Sequence, residues 1–257
     1  MNPVRAKKRL GQHFLTDDNI SKKIVEQLSP DIESIIEVGA GTGALTQFLV
    51  PQYLDKFHII EIDTESIEYL SKAYPMLGDR LIHGDFLKTK LNDFGESNIA
   101  VIGNFPYNIS SQIFFHVLDY KDNVVEVVGM VQKEMAERMA AKEGNKDYGI
   151  LSVLLQAWYD IDYLFTVHEN VFNPPPKVKS AVIKMRRNDV KQLDCDEALF
   201  KKIVKQAFGQ RRKTMRNSLR TFLNEKTINN PVFDKRPEQL SVSEFIELTR
   251  FIGESCN

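Results

Sequence analysis

Short apolar runs alternate with amphipathic stretches through the first half of the chain. Alternating strand and helix patterns are typical of a parallel sheet that has helices on both faces. The pattern therefore predicts an α/β fold with an open, doubly wound sheet. The apolar runs cover residues 34–38, 57–62, 80–83, 99–103 and 124–131, and the helical stretches between them cover about 43–50, 64–73, 109–118 and 132–142.

The pattern changes in the second half of the chain. Two β-rich runs, 160–167 and 180–187, are joined by a proline-rich loop without a helix, which predicts an antiparallel pair and a seven-stranded mixed sheet. The periodicity after that is helical, so we predict residues 1–187 as the sheet domain and 188–257 as a small all-helical domain. The helical stretches of this second domain are 196–208, 213–224 and 243–252.

The composition argues against several classes of protein. Only two cysteines occur, Cys195 and Cys256, and neither lies in a C-x-x-C pair or beside clustered histidines. A disulfide framework and a structural zinc site are therefore not expected, and no metal is predicted. The basic N-terminus is not followed by an apolar run, and no run approaches the length of a membrane span. We predict a cytoplasmic protein without a membrane contact.

The net charge of −1 conceals an uneven distribution. Residues 1–13 contain four basic and no acidic side chains, and residues 201–220 contain eight basic and none acidic. An acidic body with two basic segments indicates a localised contact with a polyanion. One basic run alone is more often a solvated helix face. The second run, together with the amine-binding motif described below, favours nucleic acid as the partner.

Three predicted strands end in residues that suit a nucleoside ligand. Gly39 and Gly41, in a G-x-G-x-G turn after the first strand, let the backbone approach a ligand and open a helix. Glu61 ends the second strand, where its carboxylate can accept hydrogen bonds from both ribose hydroxyls. Asp85 follows the third strand and can accept from an adenine amino group, while Phe86 can cover the ring. These groups suit either a nicotinamide dinucleotide or S-adenosylmethionine, although the third glycine comes one residue earlier than dehydrogenases require.

The segment Asn104-Phe105-Pro106-Tyr107 decides between these cofactors. It follows the buried run 99–103, so it should face the glycine turn across one crevice at the carboxyl ends of the strands. The Asn104 side-chain oxygen and the Phe105 carbonyl can accept hydrogen bonds from a planar amine and expose its lone pair. Pro106 restricts the residue before it to extended backbone, and Tyr107 offers a stacking face for a base. Methyl transfer from S-adenosylmethionine to such an amine needs these groups, whereas hydride transfer does not.

These motifs, with others along nearly the whole chain, resemble the bacterial small-subunit (16S) ribosomal RNA adenine N6,N6-dimethyltransferases. The resemblance implies a Rossmann-like class I methyltransferase fold and S-adenosylmethionine as the methyl donor. It also implies that the acceptors are two neighbouring adenosines near the 3′ end of 16S rRNA, within an immature 30S subunit whose assembly the protein assists. We expect a monomer. The resemblance is carried by KRLGQHFL at 8–15, EVGAG at 37–41, NFPYNIS at 104–110, QKE at 132–134, YGILS at 148–152, FNPPPKVKS at 172–180 and AFGQRRKTMRNS at 207–218.

Carried over position by position, the resemblance implies contacts with the cofactor and with the target base. Tyr107 and Phe172 would sandwich the target adenine. His13 stands where the family usually has Asn, and Phe105 where it usually has Leu. Because the His13 ring can still donate or accept and Phe105 contributes its carbonyl, we expect both changes to be tolerated. Together with Gly41 and Phe86, the predicted cofactor contacts are His13, Leu15, Gly39, Glu61, Asp85 and Asn104.

The basic segments fit an RNA contact. In a continuous helix, Arg212, Arg216 and Arg220 would recur every four residues and form one cationic stripe suited to phosphates. Lys177 and Lys179 would extend a basic rim beside a run of three prolines, which stiffens that loop as polyproline II. The predicted RNA contacts are Arg5, Lys7, Lys8, Arg9, Lys177, Lys179, Arg211, Arg212, Lys213, Arg216 and Arg220.

Three other functions compete with this interpretation. They are a large-subunit rRNA adenine methyltransferase that confers antibiotic resistance, a protein glutamine methyltransferase with an N-P-P-Y motif, and a non-catalytic assembly factor. The segments 172–180 and 207–218 favour the small-subunit family, and the basic N-terminal arm argues against a protein substrate. The residues that favour a catalyst are Glu61, Asp85, Asn104 and Tyr107.

Overall fold

The computed structural model describes residues 4–225, 227 and 229–255 of the chain, so Cys256 lies outside the described residues. The strands are β1 (Phe14–Leu15), β2 (Ser34–Val38), β3 (Phe57–Glu61), β4 (Leu81–His83), β5 (Ile99–Asn104), β6 (Val124–Gln132), β7 (Tyr159–Val167), β8 (Phe172–Asn173) and β9 (Ser180–Arg187). The α-helices are α1 (Asp18–Val25), α2 (Thr46–Tyr53), α3 (Thr64–Ala73), α4 (Ser110–Asp119), α5 (Lys133–Ala140), α6 (Ile150–Gln156), α7 (Glu197–Gly209), α8 (Met215–Ser218) and α9 (Val242–Ser255).

Seven strands form one mixed sheet in the order β4-β3-β2-β5-β6-β9-β7. The strands from β4 to β6 in this order pair in parallel, and β9 pairs antiparallel to β6. Every residue of β2 is buried, as expected for a parallel strand that is covered on both faces. The predicted seven-stranded mixed sheet is therefore confirmed. Because neighbouring strands run in parallel, the segments that follow β2, β3, β4 and β5 emerge at one edge of the sheet.

The described chain divides into two compact units. One boundary between the units follows Arg187, and the segment Glu137–Asp160 groups with the C-terminal residues instead of the sheet. Within the described residues, the first unit comprises 4–136 and 161–187, and the second comprises 137–160 and the described part of 188–255.

Apolar packing explains why the segment Glu137–Asp160 belongs to the second unit. Helix α6 lies against α7 and α9. The buried Trp158 ring meets Phe200 edge-on with ring centroids 6.0 Å apart, and Tyr148 meets Phe208 in the same way at 6.1 Å. A division of the sequence at a single position does not take account of these contacts between distant residues.

The predicted helix over 213–224 is wrong. Only α8 is helical there, followed by a single 3-10 turn at Arg220–Phe222. Tertiary and turn hydrogen bonds take the place of the backbone hydrogen bonds of a continuous helix. The Met215 N–H donates to the Lys235 carbonyl at 2.9 Å. At the other end, the Asn224 N–H donates to the Thr227 hydroxyl at 2.9 Å, a side-chain bond that competes with helix formation. Arg212, Arg216 and Arg220 therefore do not form one helical stripe.

A two-stranded sheet outside the main sheet was not predicted. Strand β1 pairs antiparallel with β8, with Phe14 opposite Asn173 and Leu15 opposite Phe172. The Thr16 N–H adds a bond of 2.9 Å to the Val171 carbonyl. Next, α1 begins with Asp17 as its N-cap, where the carboxylate accepts from the backbone N–H groups of Asn19 and Ile20. This pairing fixes the N-terminal segment against the proline-rich loop.

Candidate cofactor and substrate site

An open cleft is lined by residues at the carboxyl ends of β2, β3, β4 and β5 and by the N-terminal segment Leu10–Phe14. The structure thus brings together motifs that lie far apart in the sequence. The predicted site residues that line the cleft are His13, Gly39, Gly41, Glu61, Asp85, Phe86, Asn104, Phe105, Pro106 and Tyr107.

The glycine turn after β2 makes room for the N-terminal segment. Gly39 and Gly41 adopt positive φ angles of 70° and 58°, which favour glycine. A Cβ atom at Gly41 would lie 2.8 Å from Cε1 of the Phe14 ring. A side chain at this position would therefore displace Phe14 from the lining of the cleft.

Glu61 is held in a fixed orientation by two backbone donors. The Gly41 N–H donates to Glu61 Oε2 at 2.9 Å, and the Asp63 N–H donates to Oε1 at 2.8 Å. Burial raises the pKa of the Glu61 carboxyl, while these two hydrogen bonds oppose the rise. Each carboxylate oxygen keeps further acceptor capacity, so the group can bind two hydroxyls at once.

A second carboxyl, that of Glu37 on β2, lies buried below the glycine turn. Its Oε2 accepts from the Thr46 hydroxyl at 2.7 Å. Burial raises the pKa of Glu37 to about 8 against the opposing effect of the Thr46 bond, and the charge of Glu61 raises it further. The raised pKa favours the protonated, neutral form of Glu37 beside Glu61.

Asn104 ends β5 with its amide oriented by the N-terminal segment. Its Nδ2 donates to the His13 carbonyl at 2.8 Å. Because the nitrogen is engaged there, the amide oxygen is the atom left to accept a hydrogen bond from a ligand. The sequence did not reveal this role for the His13 backbone, since the two residues lie 91 positions apart.

The Phe105 ring fills a space that two glycines create. The ring is only 1% exposed and meets Phe114 edge-on. Cβ atoms at Gly103 and Gly129 would lie 2.8 Å and 2.1 Å from its carbon atoms. The larger side chain at this position is thus accommodated beneath the cleft, with its backbone N–H donating to the Met130 carbonyl at 3.0 Å.

Tyr107 is held at both its hydroxyl and its ring. The hydroxyl lies 2.5 Å from the Ser180 hydroxyl, and the His13 ring stacks on the phenol with centroids 5.5 Å apart. Burial raises the pKa of the Tyr107 hydroxyl. His13 is fixed in turn by its Nδ1, which lies 2.8 Å from the Pro174 carbonyl and donates to it. The proline-rich loop therefore supports the aromatic platform.

Two of the residues predicted to contact the cofactor or the target base do not line the main cleft. Leu15 is 4% exposed and lines a smaller cavity together with Gly39 and Asn104. Phe172 is also only 4% exposed and belongs to the hydrophobic core of the sheet unit. The reason is the β1–β8 pairing, which places these two residues opposite each other. Asp85 lines the cleft and also caps a 3-10 turn through the Leu87 N–H.

The basic residues predicted to contact RNA fall into two groups. Three are engaged within the protein: Lys7 pairs with Asp63 and Glu65, Arg211 with Glu238, and Arg216 with Asp234. The others are exposed and form no ion pair with any described residue; they are Arg5, Lys8, Arg9, Lys177, Lys179, Arg212, Lys213 and Arg220.

Sequence reasoning missed several residues at the site. Gln12 and Ile62 line the cleft, and the Ile62 side chain is half exposed there. Their positions directly beside His13 and Glu61 were the available signal.

In the part of the chain that the structure describes, no cluster of His, Cys, Asp and Glu is arranged to hold a metal ion. None of the described helices combines the length and apolar character that a membrane crossing requires.

Comparison with known proteins identifies the family. Residues 4–250 match the model of the family described as ribosomal RNA adenine dimethylase. Ribosomal RNA small subunit methyltransferase A of Cytophaga hutchinsonii is 54% identical over 256 residues, which cover 98% of this chain and 99% of that relative. The protein of the same name from Parabacteroides distasonis is 56% identical over 252 residues, covering 97% and 94%.

Solved structures agree with this assignment. A dimethyladenosine transferase from Plasmodium falciparum superimposes with a TM-score of 0.77 and 25% identity, covering 95% of this chain and 98% of that one. The 23S rRNA methyltransferase ErmE shares the fold, with a TM-score of 0.66 at 23% identity over 92% of this chain and 99% of that one. The full-length match and the identity to these relatives show that this chain belongs to the ribosomal RNA adenine dimethylase family of methyltransferases.

Proposed function

We propose that this protein transfers methyl groups from S-adenosylmethionine to N6 of two adjacent adenosines near the 3′ end of 16S rRNA. The substrate is a maturing 30S subunit in the cytoplasm, and the protein acts as a monomer that needs no metal and also assists assembly. One observation carries this proposal: the Asn104 amide is oriented by the His13 carbonyl in the same cleft that holds Glu61.

The cleft fits the nucleoside part of S-adenosylmethionine. Glu61 would accept hydrogen bonds from the two ribose hydroxyls, because its carboxylate is already oriented by Gly41 and Asp63. Asp85 would accept from the adenine amino group, and the apolar surfaces of Phe86 and Ile62 would flank the ring. When bound, the cofactor supplies a methyl group on a positively charged sulfur.

The end of β5 suits the acceptor amine. Asn104 Oδ1 and the Phe105 carbonyl would accept hydrogen bonds from the N6 amino group and draw its nitrogen toward tetrahedral geometry. Pro106 keeps the Phe105 carbonyl in a restricted direction. Holding the two reactants in line in this way can supply most of the rate enhancement without a covalent nucleophile.

Tyr107 would stack on the target adenine once the base has left its own stack. The hydroxyl bond to Ser180 and the His13 ring on one face hold the phenol ready for a base on its other face. Phe172 would complete the predicted sandwich only if its side chain left the core, because it is 4% exposed. Tyr107 is therefore the principal stacking residue in this proposal.

The exposed cations, rather than the predicted helical stripe, are proposed to contact RNA phosphates. Replacing Arg212, Lys213 and Arg220 together with glutamine should weaken the salt dependence of binding to 30S particles. For single-stranded contacts the slope of log affinity against log salt changes by about 0.7 per phosphate, so we expect a flattening of up to about two units. Filter binding across a salt series measures this slope.

Arg216→Gln is the matched control for this triple variant. The Arg216 guanidinium donates to Asp234 through Nε at 2.9 Å and Nη2 at 2.8 Å, so its charge is engaged within the protein. We expect its slope to equal that of the wild type. If the triple variant also keeps the wild-type slope, these three cations are only part of a solvated surface.

The proposed reaction is tested with labelled S-adenosylmethionine and three substrates: undermethylated 30S subunits, 50S subunits and free rRNA. We expect label in the 30S subunits, mapped to two adjacent adenosines with two methyl groups each. Label found only in 50S subunits would favour a large-subunit methyltransferase. Binding to 30S particles without any label transfer would favour a non-catalytic assembly factor.

A further inference from the structure

The N-terminal segment forms one wall of the cleft, and its side chains reach the strand that carries Glu61. A 3-10 turn at Lys8–Leu10 reverses the chain, and Gly11 follows with a φ of 62°. The reversal brings Lys7 back to Gln12, because the Lys7 N–H donates to Gln12 Oε1 at 2.8 Å. Lys7 and Gln12 therefore act as neighbours in space.

Both residues meet the carboxylate of Asp63, whose side chain is 1% exposed. The Lys7 ammonium donates to Asp63 Oδ1, and Gln12 Nε2 donates to Oδ2 at 3.3 Å. Lys7 also lies 3.0 Å from Glu65 Oε1. Burial raises the pKa of Asp63, but the hydrogen bonds from Lys7, Gln12 and Ser66, together with the charge of Lys7, leave the pKa lowered.

Asp63 connects this contact to the proposed ribose site. Its backbone N–H donates to Glu61 Oε1 at 2.8 Å, so a shift of Asp63 would move the donor that orients the Glu61 carboxylate. The negative charge of Asp63 also raises the pKa of Glu61. Lys7 offsets that charge at close range and ties the N-terminal wall to the end of β3.

We propose that Lys7 is a positioning residue for the cofactor, acting through Asp63, and not a contact to RNA. The inference rests on the proposed function, since it assumes S-adenosylmethionine in this cleft. Without Lys7, Asp63 would keep a buried carboxylate with no cation beside it among the described residues. The cost of that unpaired charge would open the wall formed by Leu10–Phe14.

The geometry separates Lys7 from the next residue, although both are lysines in one basic arm. The Lys7 side chain is 23% exposed and engaged with two carboxylates. Lys8 is exposed and forms no ion pair with a described residue. An RNA contact would use Lys8 more readily, because using Lys7 would require breaking its bonds to Asp63.

The test compares Lys7→Gln with Lys8→Gln in the full-length protein, by calorimetric titration with S-adenosylmethionine in the absence of RNA. We expect Lys7→Gln to weaken binding about tenfold, which corresponds to about 1.4 kcal/mol. Lys8→Gln should bind the cofactor like the wild type, and Lys7→Arg should recover most of the affinity. In steady-state assays, Lys7→Gln should raise KM for the cofactor and leave kcat unchanged.

A second pair of measurements excludes a general loss of structure. Asp63→Asn removes the charge that Lys7 neutralises, so the double variant Lys7→Gln/Asp63→Asn should bind the cofactor better than Lys7→Gln alone. The salt dependence of 30S binding should flatten for Lys8→Gln and not for Lys7→Gln. Wild-type affinity in Lys7→Gln, or an equal flattening in both variants, would overturn the inference. Failure of the wild type to bind S-adenosylmethionine would instead overturn the proposed function.

Discussion

Replacing Asn104 with alanine is expected to lower the rate of methyl transfer by about 100-fold or more at saturating cofactor. The variant loses the amide oxygen that would accept from the N6 amino group. It also loses the Nδ2 donor to the His13 carbonyl, so the N-terminal wall is no longer fixed to β5. Single-turnover assays with undermethylated 30S subunits measure the chemical step without contributions from product release.

The matched control for this variant is Asn123→Ala. Asn123 Nδ2 also donates to a backbone carbonyl, that of Glu96 at 2.7 Å, but the residue does not line the cleft described here. Any loss of stability from removing an asparagine–carbonyl bond should therefore be similar. If both variants lose the same fraction of activity, or if Asn104→Ala turns over normally, Asn104 has no direct role in the reaction.

Replacing Glu61 with alanine is expected to weaken S-adenosylmethionine binding tenfold or more. Hydrogen bonds to a charged group contribute about 1.5–3 kcal/mol each, and about 1.4 kcal/mol corresponds to a factor of ten. Loss of both proposed ribose contacts therefore gives a large effect even after partial compensation by water. Isothermal titration of the free protein measures it directly.

Two controls accompany the Glu61 variant. Glu68→Ala removes an exposed carboxylate from α3 and should leave affinity for the cofactor unchanged. Thermal unfolding reports whether Glu61→Ala remains folded, because the Gly41 and Asp63 N–H groups lose their acceptor. Wild-type affinity in a folded Glu61→Ala protein would contradict the ribose assignment.

The strands of the sheet were predictable because their residues are apolar over short continuous runs. The predicted bounds of the strands at Ser34–Val38 and Ser180–Arg187 agree with the structure residue for residue. The same strand pattern predicted most of the residues that line the cleft, because neighbouring parallel strands have their carboxyl ends at one edge of the sheet. The residues directly after those strands, such as Glu61 and Asn104, were therefore expected to lie together.

The features that were not predicted depend on contacts between distant residues. A strand as short as β1 has no periodicity, so its pairing with β8 and the burial of Phe172 left no local signal. The engagement of Lys7 depends on Asp63, which lies 56 positions away. The sequence of a basic arm does not distinguish lysines that face solvent from a lysine that binds a buried carboxylate.

The division of the chain into interleaved units affects the order in which the protein can form during synthesis. The segment that contains Tyr148 and Trp158 leaves the ribosome before Phe200 and Phe208, its aromatic partners in the second unit. At roughly 5–20 residues per second, the wait for those partners is on the order of several seconds. During that interval α6 has no α7 or α9 to cover its apolar face. The second unit therefore completes its core only after α9 has left the ribosome, and nascent chains that stall before Phe200 would present this uncovered helix to chaperones and proteases.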